Sequence, residues 1–223
     1  MSTTRSTFDR QLAALKDDVL ILGSMVDKAI ARSVDALKRR DRNEAEMIIS
    51  DDMKINRKRF EIEDKCLLLL ATQQPMASDL RVVAAAMSII TDLERIADHA
   101  EGIAKINLLM GDEPLLKPLV DIPRMAEKAQ DMLRRSLDAF VARDADGARA
   151  LTSEDDEVDA LYDRVYRDLL DIMIKDPGTI TRATYLLWAA HNLERVADRA
   201  TNICERVVFM VTGQMEETNV SKY

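Results

Sequence analysis

Glycine and proline are scarce in this chain, six and five respectively among 223 residues. That is too little punctuation for a fold of many short strands and tight turns. Aromatics make up only 4%, and Ala, Leu, Met, Glu, Lys and Arg dominate instead, the residues of long helices. Cysteine is limited to Cys66 and Cys204. They stand in apolar contexts with no CxxC pair and no neighbouring His to activate them, so both are expected as reduced core residues rather than a disulfide, a zinc site or a nucleophile. The twelve methionines are expected to fill gaps in the core.

Long apolar runs are also missing. The longest, near Cys66 to Ala71 and Val82 to Met87, fall far short of the roughly 20 residues that cross a bilayer. Residues Met1 to Arg10 are polar, so a cytoplasmic protein without direct membrane insertion is expected. Positive charge is in deficit, with 40 acidic residues against 32 basic and a net charge of -8. No basic patch interrupts this, which argues against nucleic acid as a partner.

The few Gly and Pro residues, with two polar turns around Asp41 and Asp144, divide the chain into six helical segments. They are expected at 8–40, 43–73, 77–110, 119–142, 145–176 and 179–212, with Asp41 and Asp144 as N-caps. The sequence also repeats. Leu93-Glu94-Arg95-Ile96-Ala97-Asp98 returns 100 residues later as Leu193-Glu194-Arg195-Val196-Ala197-Asp198. Further upstream the offset is 103, matching Ser33–Leu37 to Ser136–Phe140 and Asp52–Asn56 to Asp155–Asp159. Each repeat therefore holds three helices, and the loop between the second and third is three residues shorter in the second repeat. The predicted fold is all-α, two tandem three-helix bundles over residues 1–112 and 113–223. Helices of some 30 residues, about 45 Å long, must bury apolar stripes against one another. On the third helix the expected core stripe is Leu80, Val83, Ala84, Met87 and Ile90.

Continued by whole turns, that stripe meets Glu94, Asp98 and Glu101. In the second repeat, Leu187, Ala190 and His191 lead into Glu194 and Asp198. Carboxylates at i and i+4 repel each other by a few tenths of a kcal/mol on a helix surface. Surface ion pairs with Arg95, Arg195 and Arg199 could offset this, yet the hexamer persists in both repeats while its surroundings differ. A second i, i+4 pair lies on the preceding helix of each repeat: Asp52 with Asn56, and Asp155 with Asp159. In an antiparallel bundle the start of the second helix lies beside the later half of the third, so each repeat can gather four oxygen-bearing side chains. The candidate metal ligands are Asp52, Asn56, Glu94 and Asp98 in the first repeat, and Asp155, Asp159, Glu194 and Asp198 in the second. Oxygen ligands suit hard cations such as Mg, Mn or Fe ions, and Zn is kept among the options. Asn56 makes the first set the less charged of the two.

The doubled unit, the two hexamers and the turn Gln74-Pro75-Met76-Ala77-Ser78-Asp79-Leu80-Arg81 together resemble the PhoU family, from about Phe8 to Gly213. The resemblance implies an accessory protein of the phosphate-specific transport system. Such a protein acts negatively on the phosphate-starvation response, through the ATPase subunit of the phosphate ABC transporter and a sensor histidine kinase. It also implies metal binding at Glu94, Asp98, Glu194 and Asp198, and a homodimer. The main rival is a carboxylate-bridged oxidase or ferroxidase. That needs a Glu-x-x-His pair, whereas Ile96 precedes His99 and Trp188 precedes His191 by three residues, so no enzyme is expected. His99 is expected at the site edge and His191 as a group near the metal. The second rival is a metal-free scaffold protein.

Overall fold

The computed structural model describes the backbone of residues 3–216 and side chains from residue 7, and every regular element among these is helical. The helices are α1 (Thr3–Arg39), α2 (Arg42–Gln73), α3 (Ser78–Leu109), α4 (Asp121–Ala142), α5 (Ala145–Thr152), α6 (Asp155–Lys175) and α7 (Ile180–Thr212), the last entered through a 3-10 turn at Pro177–Thr179. α1, α2 and α3 pack on one another as one bundle. α4, α5 with α6, and α7 repeat the arrangement.

The first turn of each repeat is built the same way. Arg40 and Arg143 end the preceding helix in the left-handed region, at φ 59° and 57°, and the next residue caps the following helix. Asp41 accepts from the Glu44 amide at 3.0 Å, and Asp144 from the Gly147 amide at 2.9 Å. Each cap satisfies an amide that would otherwise lack a partner. A non-glycine residue in the left-handed region costs about 1–2 kcal/mol, and Arg40 has a reason to stay there. Its guanidinium donates to the Gly111 carbonyl at 2.7 Å and to Asn107, tying the α1–α2 turn to the end of α3.

The segment expected as one helix over 145–176 is two. The hydroxyls of Thr152 and Ser153 bond back to the carbonyls of Arg149 and Ala150, at 2.8 and 2.9 Å, which competes with helix continuation. α6 then starts with Asp155, Asp156 and Glu157 in its first turn, where acids complement the helix dipole. Glu154 at the joint is fixed by Lys128 and Arg135, at 2.7 and 2.8 Å.

One apolar core runs through both repeats. The most extensive helix–helix packing is between α3 and α7, and α1 lies against α4. Leu93 and Leu193, the first residues of the two hexamers, are fully buried, each contributing about 1.5–3 kcal/mol. The expected α3 stripe needs correction: Val83 and Ile90 are buried, but Leu80 is 44% exposed, Ala84 is exposed and Met87 only half-buried. The true core face is Val82, Val83, Ala86, Ile89, Ile90, Leu93 and Ile96. α3 is covered by α1 and α2 on one side and by α7 on another, so its buried arc is wider than a single three-helix bundle requires. The acids at 94, 98 and 101 therefore border the core instead of interrupting it. Cys66 and Cys204 are buried as free thiols, and burial pushes each up to about 12, which leaves neither available as a thiolate. No helix among the described residues is long and apolar enough to cross a membrane.

Candidate functional site

The two acidic faces lie where α2 meets α3 and where α6 meets α7. In the first repeat, burial raises the Asp52 carboxyl, and the nearby charges of Glu101, Asp98 and Glu94 raise it further. The α2 acid therefore does face the α3 acids, and Glu101, outside the predicted ligand set, belongs to the same field. Asn56 donates Nδ2 to Asp52 Oδ2 at 2.7 Å, which relieves part of the strain. Lys105 relieves more, standing 2.5 Å from Glu101. Asp52 and Glu101 line a cleft of about 180 Å³ that also takes in Lys28, Arg32 and Asp51.

In the second repeat Glu194 has less relief. Asp159, at the position of Asn56, is an acid and adds to the repulsion on Glu194. The Glu194 carboxyl is pushed up to about 7, first by burial, then by the charges of Asp198 and Asp159, with Arg195 opposing. His191 Nδ1 lies 3.0 Å from Glu194 Oε2, but that oxygen is buried with no hydrogen-bond partner. Burial also raises Asp198, against the pull of Arg195, Arg199, His191 and His99. Asp155 is buried, at 5% exposure.

The hexamers carry their own ion pairs. Arg95 holds Asp98 at 3.0 Å and Arg195 holds Asp198 at 3.1 Å. Neutralisation by arginine therefore accounts for the two Asp residues, and Arg95 Nε also reaches Glu94, at 3.5 Å. It does not account for Glu194. Arg199 is directed elsewhere, to Asp92 across the α3–α7 contact at 3.3 Å. With these pairs in place, no three His, Cys, Asp or Glu groups among the described residues close on a point that could hold an ion. The two faces differ in their donors: Glu194 feels the charges of Asp198 and Asp159 and has a buried oxygen that accepts no hydrogen bond, whereas in the first repeat the amide of Asn56 is already spent on Asp52.

Sequence reasoning missed a polar junction between the repeats. Asp92 on α3 meets Arg199 on α7, and His99 on α3 meets Asn192 on α7 at 3.0 Å. Asn192 Nδ2 donates to the Trp188 carbonyl at 2.8 Å, which turns its Oδ1 toward His99 and makes Nδ1–H the donating tautomer. The positions are reciprocal: 92 pairs with 199 and 192 with 99. The 100-residue offset was the signal that could have revealed them.

Comparison with known proteins gives a consistent picture. A family model described as "PhoU domain" matches residues 19–106 and again 122–207. A phosphate-specific transport system accessory protein PhoU homolog of Clostridium acetobutylicum is 39% identical over 97% of this chain and 99% of its own length. A homolog of the same description from Rhizobium meliloti is 35% identical over 93% and 88%. The crystal structure of the phosphate transport system regulatory protein PhoU from Streptococcus pneumoniae superposes with a TM-score of 0.87 at 35% identity, covering 94% of this chain and 99% of that one. PhoU from Pseudomonas aeruginosa does so with 0.87 at 33%, covering 93% and 100%.

Proposed function

The chain belongs to the PhoU family, and from that premise we propose that it is a phosphate-homeostasis regulator that holds down the phosphate-starvation response when phosphate is plentiful. It acts in the cytoplasm as a homodimer, by contact with the ATPase subunit of a phosphate ABC transporter and with a sensor histidine kinase, and catalyses no reaction of its own. The observation that carries this reading is 39% identity, over 97% of the chain, to a phosphate-specific transport system accessory protein PhoU homolog. The absence of a Glu-x-x-His pair supports an adaptor over an oxidase or ferroxidase. Deleting the gene in its host should raise a phosphate-starvation reporter at high phosphate. Normal repression together with normal uptake in the deletion strain would refute the regulatory role.

We further propose that the acidic faces bind divalent or trivalent metal ions, Mg, Mn, Fe or Zn. Asp155, Asp159, Glu194 and Asp198 form the stronger set, and Asp52, Asn56, Glu94 and Asp98 the weaker. A cation there supplies the positive charge that offsets carboxylate repulsion. For the ligands to close on it, Asp98 and Asp198 must exchange their arginine partners for it. The buried Glu194 Oε2, which accepts no hydrogen bond, supports this reading. Protein purified without chelators should contain metal by elemental analysis, and Glu194→Ala with Asp198→Ala should lower the content. An unchanged stoichiometry in the double variant sinks the assignment, and no metal in the parent leaves a metal-free scaffold.

A further inference from the structure

The outward face of α2 carries an exposed apolar seam, on which the one intrachain ring contact among the described residues is the Arg59 guanidinium over Phe60 at 4.8 Å. Met53, Phe60, Leu67 and Leu68 are 68%, 57%, 51% and 60% exposed, and 53, 60 and 67 recur at seven-residue intervals. Arg57 and Asp64 stand between them, also exposed, giving the alternating four-and-three spacing of a helix-pairing face. The neighbouring charges on α2 are already occupied within the chain. Lys58 and Lys65 hold Asp18 at 2.6 and 2.5 Å, Arg59 holds Glu63 at 3.0 Å and Lys54 holds Asp51 at 2.6 Å. Arg57 and Asp64 make no ion pair or hydrogen bond among the described residues. Seven residues apart on one helix, they are separated by about 10.5 Å along the axis, too far to pair with each other.

We infer that this face is a self-complementary docking seam, on which a second copy of the chain lays its α2 antiparallel. The inference rests on the homodimer reading above and names its surface. With a two-fold axis between Phe60 and Glu61, residue i of one helix lies opposite residue 121 minus i of the other. Arg57 then faces Asp64 of the second copy, and Asp64 faces Arg57, so both charges are satisfied twice over by symmetry. Met53 falls opposite Leu68 of the second copy, and the two Phe60 rings meet at the axis. Beside Leu68 a groove of about 240 Å³ between α1 and α2, lined by Ala14, Leu15, Leu68 and Leu69 with Asp18 and Lys65 at its rim, can receive an apolar side chain. A parallel arrangement would instead set Arg57 against Arg57. α6 shows exposed Tyr166, Leu170 and Ile174, but at the 103-residue offset Ala160 stands in the place of Arg57 and Arg167, in the place of Asp64, already pairs with Asp163 at 3.6 Å, so α6 has no counterpart of the Arg57–Asp64 pair.

Sedimentation equilibrium of the full chain over a concentration series tests the seam, with circular dichroism confirming that each surface variant stays folded. The parent should show a reversible monomer–dimer equilibrium, and Phe60→Asp should abolish the dimer. Arg57→Asp and Asp64→Arg should each weaken dimerisation about tenfold or more, since each sets like charges opposite. Combined in one chain, the two should restore it to within about threefold of the parent. A dimer indifferent to Phe60→Asp, or no recovery in the combined variant, overturns the seam and leaves the homodimer standing. A parent that stays monomeric at every concentration overturns both, and a face needed only for binding the transporter ATPase counts against self-pairing.

Discussion

Glu194→Gln removes the charge that the second acidic face accommodates least well. The carboxyl titrates near 7 in the folded chain and near 4.5 when unfolded, so it holds its proton more tightly in the native state. Below pH 4.5 both states are protonated and the group exerts no penalty. As pH rises from 4.5 through 7 the folded state must either keep a proton the unfolded state has lost or bear an unwelcome charge, and stability falls. At about 1.36 kcal/mol per unit the ceiling is about 3 kcal/mol. The side chain is still 24% exposed, and screening by water reduces this to about 1–2 kcal/mol. In chelator-treated protein at pH 8, Glu194→Gln should therefore raise Tm by about 3–6 °C, and at pH 4.5 the two proteins should melt together. Thermal unfolding followed by circular dichroism at both pH values is the assay. With saturating metal at pH 8 the order should reverse, because a cation held 100-fold above its Kd adds about 2.7 kcal/mol to the parent alone. A variant less stable than the parent at both pH values, without metal, would show that Glu194 contributes a favourable contact, and the repulsion argument would fail.

Gly23→Ala should destabilise despite better helix propensity, worth about 1 kcal/mol, because the new Cβ would lie 2.2 Å from Leu137 Cδ1 in the α1–α4 contact; overpacking of this kind costs about 1–3 kcal/mol, and Leu137→Ala should recover part of the loss in urea unfolding. Asp41→Ala and Asp144→Ala should each cost about 1 kcal/mol in the same assay, through the lost caps of α2 and α5. Arg199→Ala strands the half-buried Asp92 and should cost about 2 kcal/mol, below the roughly 3–5 of a fully buried pair. His99→Ala, at the equivalent place in the first repeat, breaks only a neutral pair and should cost about 1 kcal/mol. Equal losses for the two would remove the distinction between them.

The helices and the repeat were legible in the sequence because their signals are local: Asp41 and Asp144 announce caps, and Pro and Gly mark the other ends. The break at Ser153 was not, because its hydroxyl-bearing residues are compatible with a continuous helix until the fold fixes Glu154 between Lys128 and Arg135. The misplaced core stripe has a different cause. Leu80, Ala84 and Met87 are as apolar as their buried neighbours, and only the packing of α3 against α7 decides which arc is covered. For the candidate site, spacing alone brought Asp52 to Glu94 and Asp98, and Asp159 to Glu194. It could not show that Glu101 joins the first group, or that Arg199 is engaged elsewhere.

The reciprocal junction bears on how the two acidic faces relate. Because α3 and α7 carry the same repeat, a contact from position 92 to position 199 implies one from 192 to 99, and both are present. Gly102 lies at the same junction, with space for a Cβ only 3.0 Å from Asn192 Oδ1, while Asn202, its equivalent, bonds to Asp92. These side chains come from the same two helices as Glu94, Asp98, Glu194 and Asp198, a turn or less away along each. Asp198 lies within electrostatic reach of both His191 of its own helix and His99 of the other repeat, so that protonating either ring would lower its carboxyl. The second acidic face is thus not electrically self-contained, and any charge placed there acts on a junction that joins the two halves of the molecule.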